Sequence, residues 1–172
     1  LKPTFYFSKN NLNVLNFFHG KLISQILFLP SFLFDVLSLR FNENLGAGAL
    51  IGSGEETELI VRAIYDLNIS LTFYPLPIVF HDCYVFNALN PSKTFNYMYG
   101  STLLSLNLLI NRRIYGPTIV ILLILLKSLV ALLFADISEI PKPHLRARVK
   151  SVFSALISYP KKRMLFTLHL SS

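Results

Sequence analysis

The residues best suited to chemistry lie in and directly after a glycine-rich stretch. Four of the seven glycines fall between Gly46 and Gly54, in the segment GAGALIGSG. Such a density is typical of a loop whose backbone takes unusual angles or approaches a ligand closely. Glu55 and Glu56 follow at once. A carboxylate held in the first turn of a helix can be aimed into a cleft beside such a loop, where it can take a proton from a hydroxyl group.

A helix that starts after the glycines would hold these carboxylates. Ser53 and Glu56 have the spacing of a capping box, and acidic residues fill the first turn. Glu58 and Arg62 lie four residues apart on the face opposite the apolar residues, where they favour a surface ion pair. The apolar face is formed by Leu59, Ile60, Ala63, Ile64 and Leu67. Simple capping is the alternative role for Glu56.

The flanking segments predict a mixture of short strands and helices. We expect a short strand around Phe5–Phe7, a short helix within residues 31–40, and strand-like runs at residues 70–74 and 78–81. Residues 117–135 carry one charge, Lys127, and are just long enough to cross a bilayer. A buried or interfacial helix is the alternative for that run. Residues 142–163 are basic and predict an amphipathic segment that lies on a surface.

Composition points to a chain that associates with a membrane or is unusually apolar. Hydrophobic residues make up 53% and charged residues 15%, which excludes a disordered chain. The single cysteine, Cys83, excludes an internal disulfide framework and a cysteine-rich zinc module. Residues 1–100 hold six Lys/Arg and seven Asp/Glu, whereas residues 101–172 hold ten and two. The basic residues flank apolar runs, so we expect an anionic membrane and no nucleic acid as the partner.

Several separate segments together resemble one enzyme family. FNENLGAG begins at Phe41, GSGEETEL begins at Gly52, and Arg62 follows. Tyr74-Pro75 then precedes a Val-Phe-His run that ends at His81. In order and spacing these segments resemble the acceptor-side half of family 2 glycosyltransferases, closely over residues 30–85 and loosely through Tyr99-Gly100.

The resemblance implies a fold, an activity and a location. The fold would be α/β: the acceptor-side half of a GT-A-type domain in residues 1–100, followed by apolar, basic membrane-associated helices in residues 101–172. The parent enzyme would transfer a sugar, with inversion, from a nucleotide-diphosphate donor to a glycan or lipid-linked acceptor during cell-surface polysaccharide synthesis. It would work at the cytoplasmic face of the membrane.

The resemblance also assigns roles to individual residues. Glu56 would be the catalytic base, and Glu55 would orient it or bind acceptor hydroxyls. Arg62 would face the leaving diphosphate, unless its spacing from Glu58 reflects only an ion pair. His81 would contribute to a site for Mg or Mn, or serve as a structural residue. The substrate-binding loop would be shaped by Gly48, Gly52 and Gly54.

The sequence departs from the family pattern in one decisive respect. It contains no D-x-D motif, which in this family ends the nucleotide-binding half and holds the metal. Asn42 and Glu58 stand where aspartate is usual. We therefore expect a fragment of a transferase that is inactive alone. The alternative is a small, non-enzymatic membrane protein whose GEET helix is only structural.

Overall fold

The computed structural model describes residues 5–7, 31–35, 38–69, 71–73, 90–134 and 140–166. Helices dominate this part of the chain. The α-helices are α1 (Phe32–Asp35), α2 (Glu55–Tyr65), α3 (Pro91–Arg112), α4 (Gly116–Leu133) and α5 (Lys142–Lys162), and a 3₁₀ turn at Arg163–Phe166 follows α5. The strands are β1 (Phe5–Phe7) and β2 (Leu71–Phe73), which pair antiparallel with Tyr6 opposite Thr72.

The expected α/β, GT-A-type fold is wrong for the described residues. Such a domain needs a mostly parallel sheet covered by helices, whereas the sheet found here has two antiparallel strands of three residues each. The strands predicted near residues 5–7 and 70–74 do form, but they are too short to build a layer. In the described segments after residue 90, the backbone N–H and C=O groups form hydrogen bonds within helices instead of within a sheet. The run at residues 78–81 lies outside the described residues.

The chain divides into two compact units that are interleaved in sequence. The first unit comprises residues 1–42 and 55–82, and the second comprises residues 43–54 and 83–172. The division predicted at residue 100 stays a prediction; that position falls inside α3.

The core of the first unit is built on α2. Leu59 and Ala63 lie one helical turn apart and pack with Leu39. Partly buried residues close this cluster: Phe34, Leu67 and Ile69. The amphipathic pattern predicted for the helix is thus confirmed on its apolar face.

The described part of the second unit contains the α-helices α3, α4 and α5, together with residues 43–54 and the 3₁₀ turn. The Asn90 side chain accepts a hydrogen bond from the backbone N–H of Ser92 at 2.9 Å, and proline follows the cap at the first helical position. At the other end, Arg113 takes a left-handed conformation (φ 56°) that ends α3 and lets α4 start at once. Met98 of α3, Ile121 of α4 and Val152 of α5 share one buried cluster.

Most of the apolar run predicted at residues 117–135 lies in α4. This helix has 18 residues and is long and apolar enough to cross a membrane. Only 22% of it is buried against the rest of the chain, because α3 and α5 cover one narrow side. Its uncovered side chains include Leu122, Leu126 and Val130, and Lys127 is also exposed.

The end of α5 is anchored by an aromatic residue. Tyr159 is buried, and within the described chain its hydroxyl has no hydrogen-bond partner. Burial raises the pKa of this hydroxyl, and the positive charge of Arg163 offsets part of the increase. Tyr159 is therefore a neutral side chain at physiological pH and packs as an apolar group.

Candidate functional site

Residues 43–54, here called the glycine loop, fold back on themselves. The backbone N–H of Gly46 donates to the Ile51 oxygen at 2.9 Å, and that of Ile51 donates to the Asn44 oxygen at 3.0 Å. Leu45 and Ile51 form an isolated bridge and are both buried. Gly46 and Gly48 have φ values of 108° and 86°, which L-residues with side chains rarely adopt. The unusual backbone angles that the glycine density predicted are confirmed at these two positions.

The glycine loop is docked closely on α3. The Ser53 hydroxyl, which we expected to cap α2, donates to the backbone oxygen of Tyr97 at 3.1 Å. A Cβ atom at Gly100 would lie 2.7 Å from the Ser53 backbone oxygen and 2.3 Å from its hydroxyl oxygen. Only glycine at position 100 therefore permits this approach. Gly54 lies against the same helix, since a Cβ there would contact Leu104 at 3.6 Å.

A cavity of about 670 Å³ opens between the glycine loop, α3 and α5. We call it the loop cavity. All of its lining belongs to the second unit. The loop contributes Ala47, Gly48, Ala49, Leu50 and Gly52; α3 contributes Lys93, Phe95, Asn96, Tyr97 and Tyr99; and α5 contributes Ser154, Ser158 and Lys162.

The wall of the loop cavity combines aromatic rings, hydroxyl groups and a cation. Phe95 and Tyr99 stack with their ring centroids 5.7 Å apart and their planes 11° from parallel. The Tyr99 and Ser158 hydroxyl oxygens are 2.7 Å apart and share a hydrogen bond. Lys162 Nζ donates to the Leu50 backbone oxygen at 3.3 Å and lies 5.6 Å from the Tyr99 ring centroid. Such a wall offers flat apolar faces, exchangeable hydrogen bonds and positive charge.

Two of the predicted loop glycines line this cavity. A Cβ atom at Gly48 would meet no atom within 4 Å, so the backbone there borders open space. At Gly52 a Cβ would lie 3.1 Å from the Asn96 Cβ, so a side chain would press on α3. The role of these glycines in a substrate-binding loop stays a prediction, and their place in the wall is compatible with it.

Glu55 and Glu56 begin α2, as the sequence predicted. They belong to the first unit, whereas the loop cavity belongs to the second. Both side chains are half-buried. With Glu58 they place negative charge at the positive end of the helix dipole, which stabilises α2. The base function of Glu56 stays a prediction.

Arg62 makes the ion pair with Glu58 that the spacing allowed, but the pair is not on the surface. Glu58 is 6% exposed and Arg62 is 8% exposed. Arg62 Nε lies 2.7 Å from Glu58 Oε1, and its Nη2 lies 2.9 Å from Oε2. The same Nη2 donates to the Arg40 backbone oxygen. The expected surface pair is therefore corrected to a buried one, and these contacts give no support to the diphosphate-binding role predicted for Arg62.

The one residue predicted to contribute to a metal site is His81. This residue lies outside the described part of the chain, and the described residues contain no group of three His, Cys, Asp or Glu side chains able to hold a metal ion. The metal stays an implication of the resemblance.

Sequence reasoning missed the α3 and α5 residues of the loop cavity. Phe95 and Tyr99 lie four residues apart at the start of α3, a spacing that puts both rings on one helix face. That signal was present in the sequence. Ser158 and Lys162 are about 60 residues further along the chain, and nothing local relates them to the glycine loop.

Comparisons of the chain with protein-family models, with curated proteins and with solved structures found no match.

Proposed function

We propose that this chain is the acceptor-side portion of an inverting, membrane-associated glycosyltransferase and that the loop cavity receives a sugar residue of the acceptor glycan. One observation carries the proposal. The glycine loop, whose sequence resembles the acceptor side of family 2 enzymes, forms one wall of a cavity whose other walls carry aromatic, hydroxyl, amide and lysine side chains.

The lining of the loop cavity suits a carbohydrate. A sugar ring has apolar C–H faces that pack on flat aromatic surfaces such as those of Phe95 and Tyr99. Its hydroxyl groups both donate and accept hydrogen bonds, as do Asn96, Ser154 and Ser158. A volume of about 670 Å³ lies within the usual range for small-ligand sites.

The resemblance supplies the chemical step. By the resemblance alone, and independently of the loop cavity, Glu56 is the base that takes the proton of the acceptor hydroxyl as that oxygen attacks the anomeric carbon of the donor sugar. The new C–O bond forms while the bond from that carbon to the nucleoside diphosphate breaks. The diphosphate leaves with the electron pair, and the configuration at the anomeric carbon inverts. In the family that the sequence resembles, the donor is bound by the nucleotide-binding half, whose D-x-D motif does not occur in these 172 residues.

The location proposed for the chain is the anionic cytoplasmic face of a membrane. The uncovered apolar side of α4 would enter the lipid. Beside it, α5 exposes Arg146, Lys150 and Lys161. Each basic residue near an anionic lipid surface contributes about 1 kcal/mol to the binding free energy.

Replacing Leu126 in α4 by aspartate is expected to weaken membrane binding at least tenfold. A charge at the middle of an apolar helix costs about 2.5–3.5 kcal/mol on insertion scales. Flotation of the purified chain with vesicles that contain phosphatidylserine measures the effect. Leu50→Asp is the matched control, because Leu50 is exposed but lies in the glycine loop. Equal flotation of Leu126→Asp and the unaltered chain would contradict the membrane location.

Replacing Glu56 by glutamine is expected to lower sugar transfer about a hundredfold, which is the lower end of a general base's contribution. The assay uses membranes from the cells that make the protein, with the variant in place of the natural gene. It follows the transfer of labelled sugar from nucleotide-diphosphate donors into glycan. Asp66→Asn is the matched control, since Asp66 is an exposed carboxylate directly after α2.

Two outcomes of this assay would count against the proposed function. Unchanged transfer in the Glu56→Gln membranes would favour the alternative, in which the GEET helix is only structural. Transfer by the purified 172-residue chain alone, abolished by Glu56→Gln, would show that the donor site lies within these residues.

A further inference from the structure

We propose that the loop cavity selects a sugar residue that carries a negative charge, such as a uronic acid or a sugar phosphate. The inference rests on the proposed function and deepens it by naming the substrate class. Two of the residues that line the cavity are cationic, Lys93 and Lys162, and none of its described lining residues is acidic. A neutral sugar would gain little binding affinity from the two lysines, whereas a carboxylate or phosphate can form charge-assisted hydrogen bonds with them.

Lys162 is held in place to meet such a group. Its stem leaves the last turn of α5, and its Nζ donates to the Leu50 backbone oxygen at 3.3 Å. The Tyr99 ring, 5.6 Å away, adds a cation–π contact on one side. An ammonium group has three N–H donors and the Leu50 oxygen takes one, so an anionic ligand can accept another.

The surroundings raise the positive potential of the loop cavity. Lys93 lies in the first turn of α3, where the helix dipole also favours a negative charge. Residues 101–172, which supply the α5 wall, hold ten Lys/Arg against two Asp/Glu. The stacked pair Phe95 and Tyr99 lies in the same wall. A ligand with an apolar ring face and one anionic group therefore matches the cavity better than inorganic phosphate does.

The test is a calorimetric titration of the full chain in neutral detergent. The ligands are glucose, glucuronate, glucose 1-phosphate, inorganic phosphate and adenosine monophosphate. We expect the two anionic sugars to bind at least tenfold more tightly than glucose. Lys162→Gln should remove this preference, and Lys162→Arg should retain it. Lys150→Gln is the matched control, because Lys150 is an exposed lysine of α5 outside the loop cavity.

Each alternative outcome has one meaning. If glucose and the charged sugars bind equally, the charge selection is wrong while the proposed saccharide cavity stands. If Lys150→Gln weakens binding as much as Lys162→Gln, the effect is one of overall charge and the inference is overturned. Tighter binding of inorganic phosphate or the nucleotide would also overturn it, in favour of a phosphate or nucleotide site. A circular dichroism spectrum that matches the unaltered chain shows that each variant is folded.

Discussion

Replacing Arg62 by methionine is expected to lower the free energy of unfolding by about 3–5 kcal/mol. The change leaves the Glu58 carboxylate buried without the guanidinium that now lies 2.7 Å and 2.9 Å from its two oxygens. It also removes a donor from the Arg40 backbone oxygen. Urea denaturation followed by circular dichroism in mild detergent measures the loss. Arg146→Met, an exposed arginine of α5, should change the stability by less than about 0.5 kcal/mol.

The double variant Arg62→Met with Glu58→Met separates a structural role from a functional one. Removal of both charges leaves no unpaired buried ion, so we expect most of the lost stability to return. In the membrane assay described for Glu56→Gln, sugar transfer with the double variant should then match transfer with the unaltered protein. A stable double variant without transfer would mean that Arg62 also binds substrate. A single variant as stable as the unaltered chain would contradict the buried ion pair.

Replacing Gly100 by valine is expected to cost about 3 kcal/mol of stability and to weaken saccharide binding at least tenfold. Valine is a better helix former than glycine, so the substitution slightly raises the stability of the helix itself. The loss comes from packing, because the new Cβ would lie 2.7 Å from the Ser53 backbone oxygen, which cannot rotate away. The glycine loop would have to leave α3, and the loop cavity would lose one wall.

Ser101→Ala is the control for Gly100→Val. It changes the next residue of α3, and the backbone oxygen of residue 101 that accepts from Ser105 is kept. We expect a change within about 0.5 kcal/mol and unaltered binding. If Gly100→Val binds the saccharide and unfolds like the unaltered chain, the glycine loop does not dock on α3 as described.

The local elements could be predicted from sequence because their signals lie within a few residues. Three features have such local signals. They are the acidic first turn and apolar face of α2, the loop glycines with positive φ, and the apolar run of α4. The start of α3 could also have been found, since an Asn cap followed by proline is a typical helix start.

The fold class and the burial of single residues needed information that local patterns do not hold. The α/β expectation came from family resemblance and three strand-like segments, but each of the two described strands has only three residues. Glu58 and Arg62 lie opposite the apolar face of α2, and helical periodicity alone places them in solvent. Whether other chain segments cover that face is decided by tertiary packing. The same holds for Lys162, which reaches the glycine loop from 112 residues away.

Photoaffinity labelling tests most directly whether the loop cavity binds a saccharide. A diazirine-bearing glucuronate is irradiated with the full chain in detergent, and the labelled peptides are identified by mass spectrometry. The account predicts labels within residues 47–52, 93–99 and 154–162, removed by excess unlabelled glucuronate and absent from Gly100→Val. Labelling confined to residues 116–133, or labelling that excess glucuronate does not reduce, would contradict it.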